Sequence, residues 1–191
     1  MISIEEIEKA IGVKFHNKEL LITALTHASY ANENQIDYIY CNERLEFIGD
    51  AILELVVRLF LFERYIDQGE DVLTEKKKSL TNRQFLAQMA RTLEIDRFLL
   101  LGRGESLTGG KEKDSILANV FEALIGAVYL DQGFKEAYDF FFFVVPKELI
   151  TKQEWDDPKS HLNAWATKNH RTVVYQIAKV EGEPHEKTFY V

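Results

Sequence analysis

The sequence predicts an all-α domain over residues 1–150 followed by a short α+β segment, and three observations carry that reading. Apolar residues recur at helical spacing almost throughout the first 150 positions. The pattern changes near Trp155-Asp156-Asp157-Pro158, which marks a boundary. Beyond it, Thr172-Val173-Val174-Tyr175-Gln176-Ile177 is β-branched and aromatic, as strands are.

Taken in order, Ile4, Ile7, Ile11 and Val13 predict a first helix, and Leu20, Leu21, Ala24 and Leu25 a second. Residues 31–41 are polar and read as a loop. Leu45, Ile48, Ile52, Leu55 and Leu59 form a helical stripe, and residues 80–93 give another. Residues 100–113 hold Gly102, Gly104, Gly109 and Gly110 and read as a loop. Ser115 is placed to cap a helix running through Leu117, Phe121, Leu124, Ile125 and Val128. Residues 134–149 close the domain as an aromatic-rich helix. In the tail, residues 162–168 predict a short helix, Gly182-Glu183-Pro184-His185 a turn and Thr188-Phe189-Tyr190-Val191 a second strand. A segment this short, covering residues 156–191, buries little core by itself.

The composition, 46% hydrophobic and 28% charged over 191 residues, is that of a globular chain with enough apolar surface for a core. The single cysteine, Cys41, excludes an internal disulfide and reads as a small buried hydrophobe in a reducing compartment. The first residues lack a basic stretch followed by an apolar one, and the longest apolar run, residues 140–145, is too short to span a bilayer. A cytoplasmic location with no membrane partner is therefore expected. The net charge of −8 argues against a polyanion partner when taken alone. Its distribution is uneven: residues 1–150 carry 17 basic and 25 acidic side chains, whereas residues 151–191 balance at 6 and 6. Carboxylates gathered for metal ions and an ordinary acidic surface both account for that excess.

Glu43, Glu46 and Asp50 stand three and four residues apart, which puts them on one face of a helix, and Glu54 extends the row. Like charges at that spacing destabilise a helix by roughly 0.2–0.5 kcal/mol per pair. No lysine or arginine lies three or four residues from Glu46 or Asp50 to relieve them. A hard divalent ion such as Mg2+ takes carboxylate oxygens and would relieve the repulsion; a solvated acidic face is the plainer alternative. Glu122, with Asn119 one turn before it, sits in the apolar run Leu117-Ala118-Asn119-Val120-Phe121-Glu122-Ala123-Leu124-Ile125-Gly126. There it either finds a partner or points outward, because an unpaired buried carboxylate is costly.

Glu43-Arg44-Leu45-Glu46-Phe47-Ile48-Gly49-Asp50-Ala51-Ile52-Leu53 resembles the signature of the ribonuclease III family almost letter for letter. Four further stretches match in the family's order: Leu25-Thr26-His27-Ala28-Ser29-Tyr30, the glycine pair with Lys111 before Ser115-Ile116-Leu117-Ala118, Glu122-Ala123-Leu124-Ile125-Gly126-Ala127, and Tyr129-Leu130-Asp131. The resemblance covers residues 1–150 and implies an all-α ribonuclease III catalytic domain. It implies a homodimeric endoribonuclease that hydrolyses phosphodiester bonds in double-stranded RNA, leaving 5′-phosphates and 3′-hydroxyls, in the processing of rRNA and mRNA. The implied cofactor is Mg2+, with Mn2+ as a substitute. By position, the resemblance makes Glu46, Asp50, Asn119 and Glu122 the metal set, with Asp50 and Glu122 catalytic. Glu43 and Glu70 become supporting acids, and Phe47 an aromatic anchor in the dimer interface, ordinary core packing being its plainer reading. Two positions depart from the pattern. Asn119 stands where the family has aspartate, so an amide oxygen replaces a charged ligand. Asp71 stands where glycine is usual, which loosens the match at Glu70.

The tail has its own resemblance. Asp157-Pro158-Lys159-Ser160-His161-Leu162-Asn163 looks like the start of a double-stranded RNA-binding domain, and Gly182-Glu183-Pro184-His185 like the loop between its first two strands. Residues 156–191 would then be the N-terminal part of an incomplete α+β domain, with Asn163, Gly182, Pro184 and His185 at RNA-contacting positions. Asn163 and Ala164 occupy the places of a glutamine–glutamate pair, so weak or no independent RNA binding by this segment is expected. Lys76-Lys77-Lys78 reads either as a phosphate-binding run or as a solvated face. His27 reads as a hydrogen-bonded histidine within the packing. Two functions remain: a duplex-cutting enzyme, favoured by the retained carboxylates, and a non-cutting RNA-binding relative, favoured by Asn119.

Overall fold

Local capping chemistry sets the first three helices. Ser3 and Glu6 exchange hydrogen bonds in a capping box that starts α1 (Ile4–Ile11), and Gly12 ends it in the left-handed region at φ +74°. The Asn17 side chain caps α2 (Lys18–Leu25), and the ring of His27 caps α3 (Ala28–Glu33) by accepting from the Ser29 amide at 3.2 Å. His27 is thus the hydrogen-bonded histidine its sequence context predicts. The computed structural model describes residues 3–145 and, in the tail, residues 162, 165–166, 171, 173–174, 179–181 and 188–190.

Six more helices follow: α4 (Glu43–Arg64), α5 (Glu70–Thr81), α6 (Arg83–Thr92), α7 (Arg103–Leu107), α8 (Asp114–Gln132) and α9 (Phe134–Val144). The centre of the domain is α8. From Ile116 to Val128 all of its residues are buried except Asn119 and Glu122, which are half-buried. A helix apolar on nearly every side needs neighbours all round, and α2, α4, α6 and α9 supply them. Cys41 is buried, as expected of a small hydrophobe.

One long-range tie and one local one hold the first helices in place. Asp131, in the last turn of α8, accepts the backbone N–H groups of His16 and Asn17, each at 2.8 Å. Glu8 of α1 takes Lys18 at 2.5 Å and the Phe15 amide at 2.7 Å. The loops close through a parallel bridge between Thr26 and Leu100.

Several elements differ from the sequence expectation. Residues 80–93 belong to two helices, because Asn82 leaves the helical region (φ −75°, ψ 155°) and its side chain caps α6 through the Phe85 amide. Its cap bond outweighs the continuous apolar periodicity. Ser115 is not a cap: α8 starts at Asp114, which Arg91 holds at 2.6 Å. The glycine-rich segment 100–113 contains α7 and a 3-10 turn, Gly110–Glu112. Leu55 and Leu59 face solvent, since α4 is rotated to bury Leu45, Gly49, Leu53, Val56 and Leu61 instead.

The contacts divide the chain into two units, Met1–Lys147 and Glu148–Val191. In the second, Leu162, Trp165 and Ala166 are helical, and β1 (Lys179–Glu181) pairs antiparallel with β2 (Thr188–Tyr190), Val180 opposite Phe189. The strand expected over 172–177 is displaced in part: Val173 and Val174 lie in no strand, and its other residues fall outside the described ones. Asn163, Gly182, Pro184 and His185, and positions 146–149 of the last predicted helix, also lie outside the described residues. Among the described residues, no helix is long and apolar enough to cross a membrane.

Candidate active site

The candidate site is made by α4 crossing α8 with almost no side chain between them. A Cβ at Gly49 would lie 1.9 Å from the Glu122 carbonyl oxygen, and one at Gly126 would lie 2.3 Å from that of Leu45. Only glycine at both positions allows this approach. Gly49 stands between Glu46 and Asp50 on α4, and its contact on α8 is the backbone of Glu122 itself. The backbone contact therefore brings carboxylates from two distant parts of the chain to one place.

The electrostatics record that closeness. Burial raises the Glu46 carboxyl above its ordinary value, and the charges of Glu43 and Asp50 push the same way, while the Asn119 side chain beside it opposes them. Burial lifts Glu122 to about 7, with Asp50 and Glu46 adding to the rise and Arg83 of α6 opposing it. Glu46 and Glu122 are half-buried, whereas Glu43 and Asp50 are exposed. None of Glu46, Asp50 and Glu122 is ion-paired to a described residue. Asn119 lies with them, one turn from Glu122 on the same helix.

Other sequence candidates lie elsewhere. Glu70 opens α5, exposed, and accepts a hydrogen bond from Thr74 at 2.9 Å; it is not among the groups acting on Glu46 or Glu122. Glu54, set by its spacing in the same acidic row, is turned away to Lys77 at 2.6 Å and Arg58 at 2.8 Å. Burial pushes the Glu54 carboxyl up, but the hydrogen bonds and charges of Lys77 and Arg58 together outweigh it and hold the group below its usual range. Each lysine of the run 76–78 is engaged by the protein: Lys76 over the Tyr65 ring, Lys77 on Glu54 and Lys78 on Glu75. Phe47 is 83% exposed and so takes no part in the core of its own chain.

The Ribonuclease-III-like family profile matches residues 17–149. A protein named Ribonuclease 3 from Clostridium perfringens is 41% identical over 193 positions, spanning 99% of this chain and 81% of that protein. Another of that name, from Bdellovibrio bacteriovorus, is 37% identical over 98% of this chain and 82% of its own. The chain belongs to the ribonuclease III-like family. The nuclease domain of Campylobacter jejuni ribonuclease III, described for flexibility in a region involved in dimer formation, superposes with a TM-score of 0.70 at 39% identity, covering 76% of this chain and 97% of that one.

Within this ribonuclease III-like domain, sequence reasoning found the acids but missed Gly49, Gly126 and Arg83. A signal for the glycines was present: each sits inside a long helical pattern, where glycine costs about 1 kcal/mol relative to alanine and so points to a packing need. Arg83 carried no such signal, because only the α6–α8 packing brings it to Glu122.

Could these residues hold a cation? As the side chains stand, no group of three His, Cys, Asp or Glu among the described residues closes tightly enough to hold one. The donor chemistry nevertheless suits a hard divalent ion that keeps several of its waters and needs only one or two direct carboxylates. Oxygen donors with no ion pair to a described residue, one of them lifted to about 7, are what such an ion would stabilise.

Proposed function

We propose that this protein is a Mg2+-dependent endoribonuclease that hydrolyses phosphodiester bonds in double-stranded RNA, leaving 5′-phosphate and 3′-hydroxyl ends, and that it acts as a homodimer. The observation that carries the reading is the convergence of Glu46, Asp50 and Glu122 across the Gly49–Gly126 crossing, with no ion pair to a described residue, in a ribonuclease III-like chain. Glu46, Asp50 and Glu122 would hold the metal, joined by the amide oxygen of Asn119. When bound, the ion supplies an activated water and offsets charge on the leaving oxygen. Glu43 adds negative charge at the rim, and Glu122, lifted to about 7, is only partly ionised near neutral pH and would give up its proton to a bound cation. Residues 1–150 are the catalytic domain in this reading, and residues 156–191 part of a double-stranded RNA-binding domain.

The homodimer reading rests on Phe47 and a nearby groove of about 400 Å³ lined by Leu20, Ile39, Tyr40, Ile48 and Leu130. An exposed aromatic beside an apolar groove is self-complementary across a two-fold axis, one copy's ring filling the other's groove. A buried aromatic anchor contributes about 2–4 kcal/mol to an interface. Phe47→Asp should therefore weaken the dimer by roughly 30-fold or more, measured by sedimentation equilibrium. An unchanged association constant would remove Phe47 from the interface.

The test of the activity is cleavage of a labelled RNA duplex with and without Mg2+. The parent is expected to cut only with the metal. Asn119→Asp is expected to lower the half-saturating Mg2+ concentration on the order of tenfold, since it restores a charged ligand. Binding of the duplex without cleavage by the parent, with cleavage appearing in Asn119→Asp, would instead establish a site disabled at one ligand.

A further inference from the structure

Arg83 is the first residue of α6, at the helix end whose dipole disfavours a cation. It is exposed and has no hydrogen bond, ion pair or ring contact with a described residue. Nearby cations differ: Lys77 and Arg58 are tied to Glu54, and Arg91 to Asp114. Arg91 also fixes the level of α6 against α8, reaching Asp114 at 2.6 Å and the Glu112 carbonyl at 2.9 Å. Eight residues advance a helix by about 12 Å. Arg91 in the last turn of α6 meets the first residue of α8, and counting back eight from Arg91 and forward eight from Asp114 along these two packed helices arrives at Arg83 and Glu122. The effect of the Arg83 charge on Glu122 agrees with that placement.

We propose that Arg83 grips a backbone phosphate of the bound RNA strand beside the carboxylate cluster and so positions that strand for cleavage. The proposal rests on the endoribonuclease reading above. An RNA strand entering this site meets the carboxylates of Glu43, Glu46 and Asp50, which repel phosphate until a metal is bound. A guanidinium at the same level, not consumed by an internal ion pair, offers several donors in a planar fork that matches phosphate oxygens.

The test uses single-turnover cleavage of a labelled RNA duplex in Mg2+ by the full chain, titrated with protein at several KCl concentrations. For Arg83→Gln, the half-saturating protein concentration should rise about tenfold and the log–log salt slope should fall by about 0.9, the value for one lost phosphate contact. The saturated rate should stay within about twofold of the parent's. Arg83→Lys should keep the slope, because a point charge still neutralises one phosphate. Lys135→Gln, which removes a charge on α9, should change neither quantity. A parent slope retained in Arg83→Gln overturns the proposal. So does a loss confined to the saturated rate with a shifted Mg2+ requirement, which would mean that Arg83 acts through Glu122. A parent that neither binds nor cuts the duplex overturns the endoribonuclease reading and this one with it, whereas a cutting parent with an unaltered Arg83→Gln slope overturns this one alone.

Discussion

Glu122→Gln is expected to reduce Mg2+-dependent duplex cleavage by roughly 10³-fold or more while making the metal-free protein more stable at pH 8. The second effect follows from the raised carboxyl. Folding lifts Glu122 from 4.5 to about 7, so the folded state holds its proton more tightly than the unfolded chain does. The stabilisation tied to that proton is fully present below pH 4.5 and is lost as the pH rises through 7. At pH 8 the parent carries the unfavourable charge and the glutamine variant does not. The difference should be about 2 kcal/mol at pH 8, allowing for partial contact with solvent, and near zero at pH 4. Denaturant unfolding of both proteins in EDTA at the two pH values measures it. Added Mg2+ should stabilise the parent at pH 8 more than the variant. A stability difference that does not change with pH would mean that Glu122 is not the strained acid of the site.

Gly49→Ala should be the most damaging small substitution in the domain. Its new Cβ would lie 1.9 Å from the Glu122 carbonyl oxygen and 2.6 Å from the carbonyl carbon, backbone atoms that cannot swing aside. The helices must separate, at an expected cost of about 3 kcal/mol, against which the better helix propensity of alanine returns only about 1 kcal/mol. Activity should fall further than stability, because separation draws Glu46 and Asp50 away from Glu122. Gly104→Ala is the matched control: nothing lies within 4 Å of its Cβ, and unfolding midpoint and cleavage rate should hardly move. If Gly49→Ala behaves as Gly104→Ala does, the close crossing is not what assembles the site.

The acidic face of α4 was legible because spacings of three and four translate directly into one helix face, whatever the tertiary structure. The partner acids were legible only through the family resemblance, since nothing local says that residue 122 meets residues 46 and 50. Glu54 shows the limit of spacing: it continues the row along the helix, yet Lys77, 23 residues away, takes it out of the cluster. Leu55 and Leu59 show another, because apolar periodicity locates a stripe without saying whether a neighbour covers it. Asn82 broke a continuous apolar pattern through one side-chain bond to Phe85, a competition that periodicity alone does not resolve.

Asp131 has a consequence for how the chain folds. Its hydrogen bonds to His16 and Asn17 span 115 and 114 residues. During synthesis, two amides of the connection between α1 and α2 therefore gain their carboxylate partner only once the far end of the central helix has been made. Closing so long a loop comes before the contacts that reward it, which slows folding even for a helical protein. A chain halted before residue 131 would hold the first two helices without this anchor.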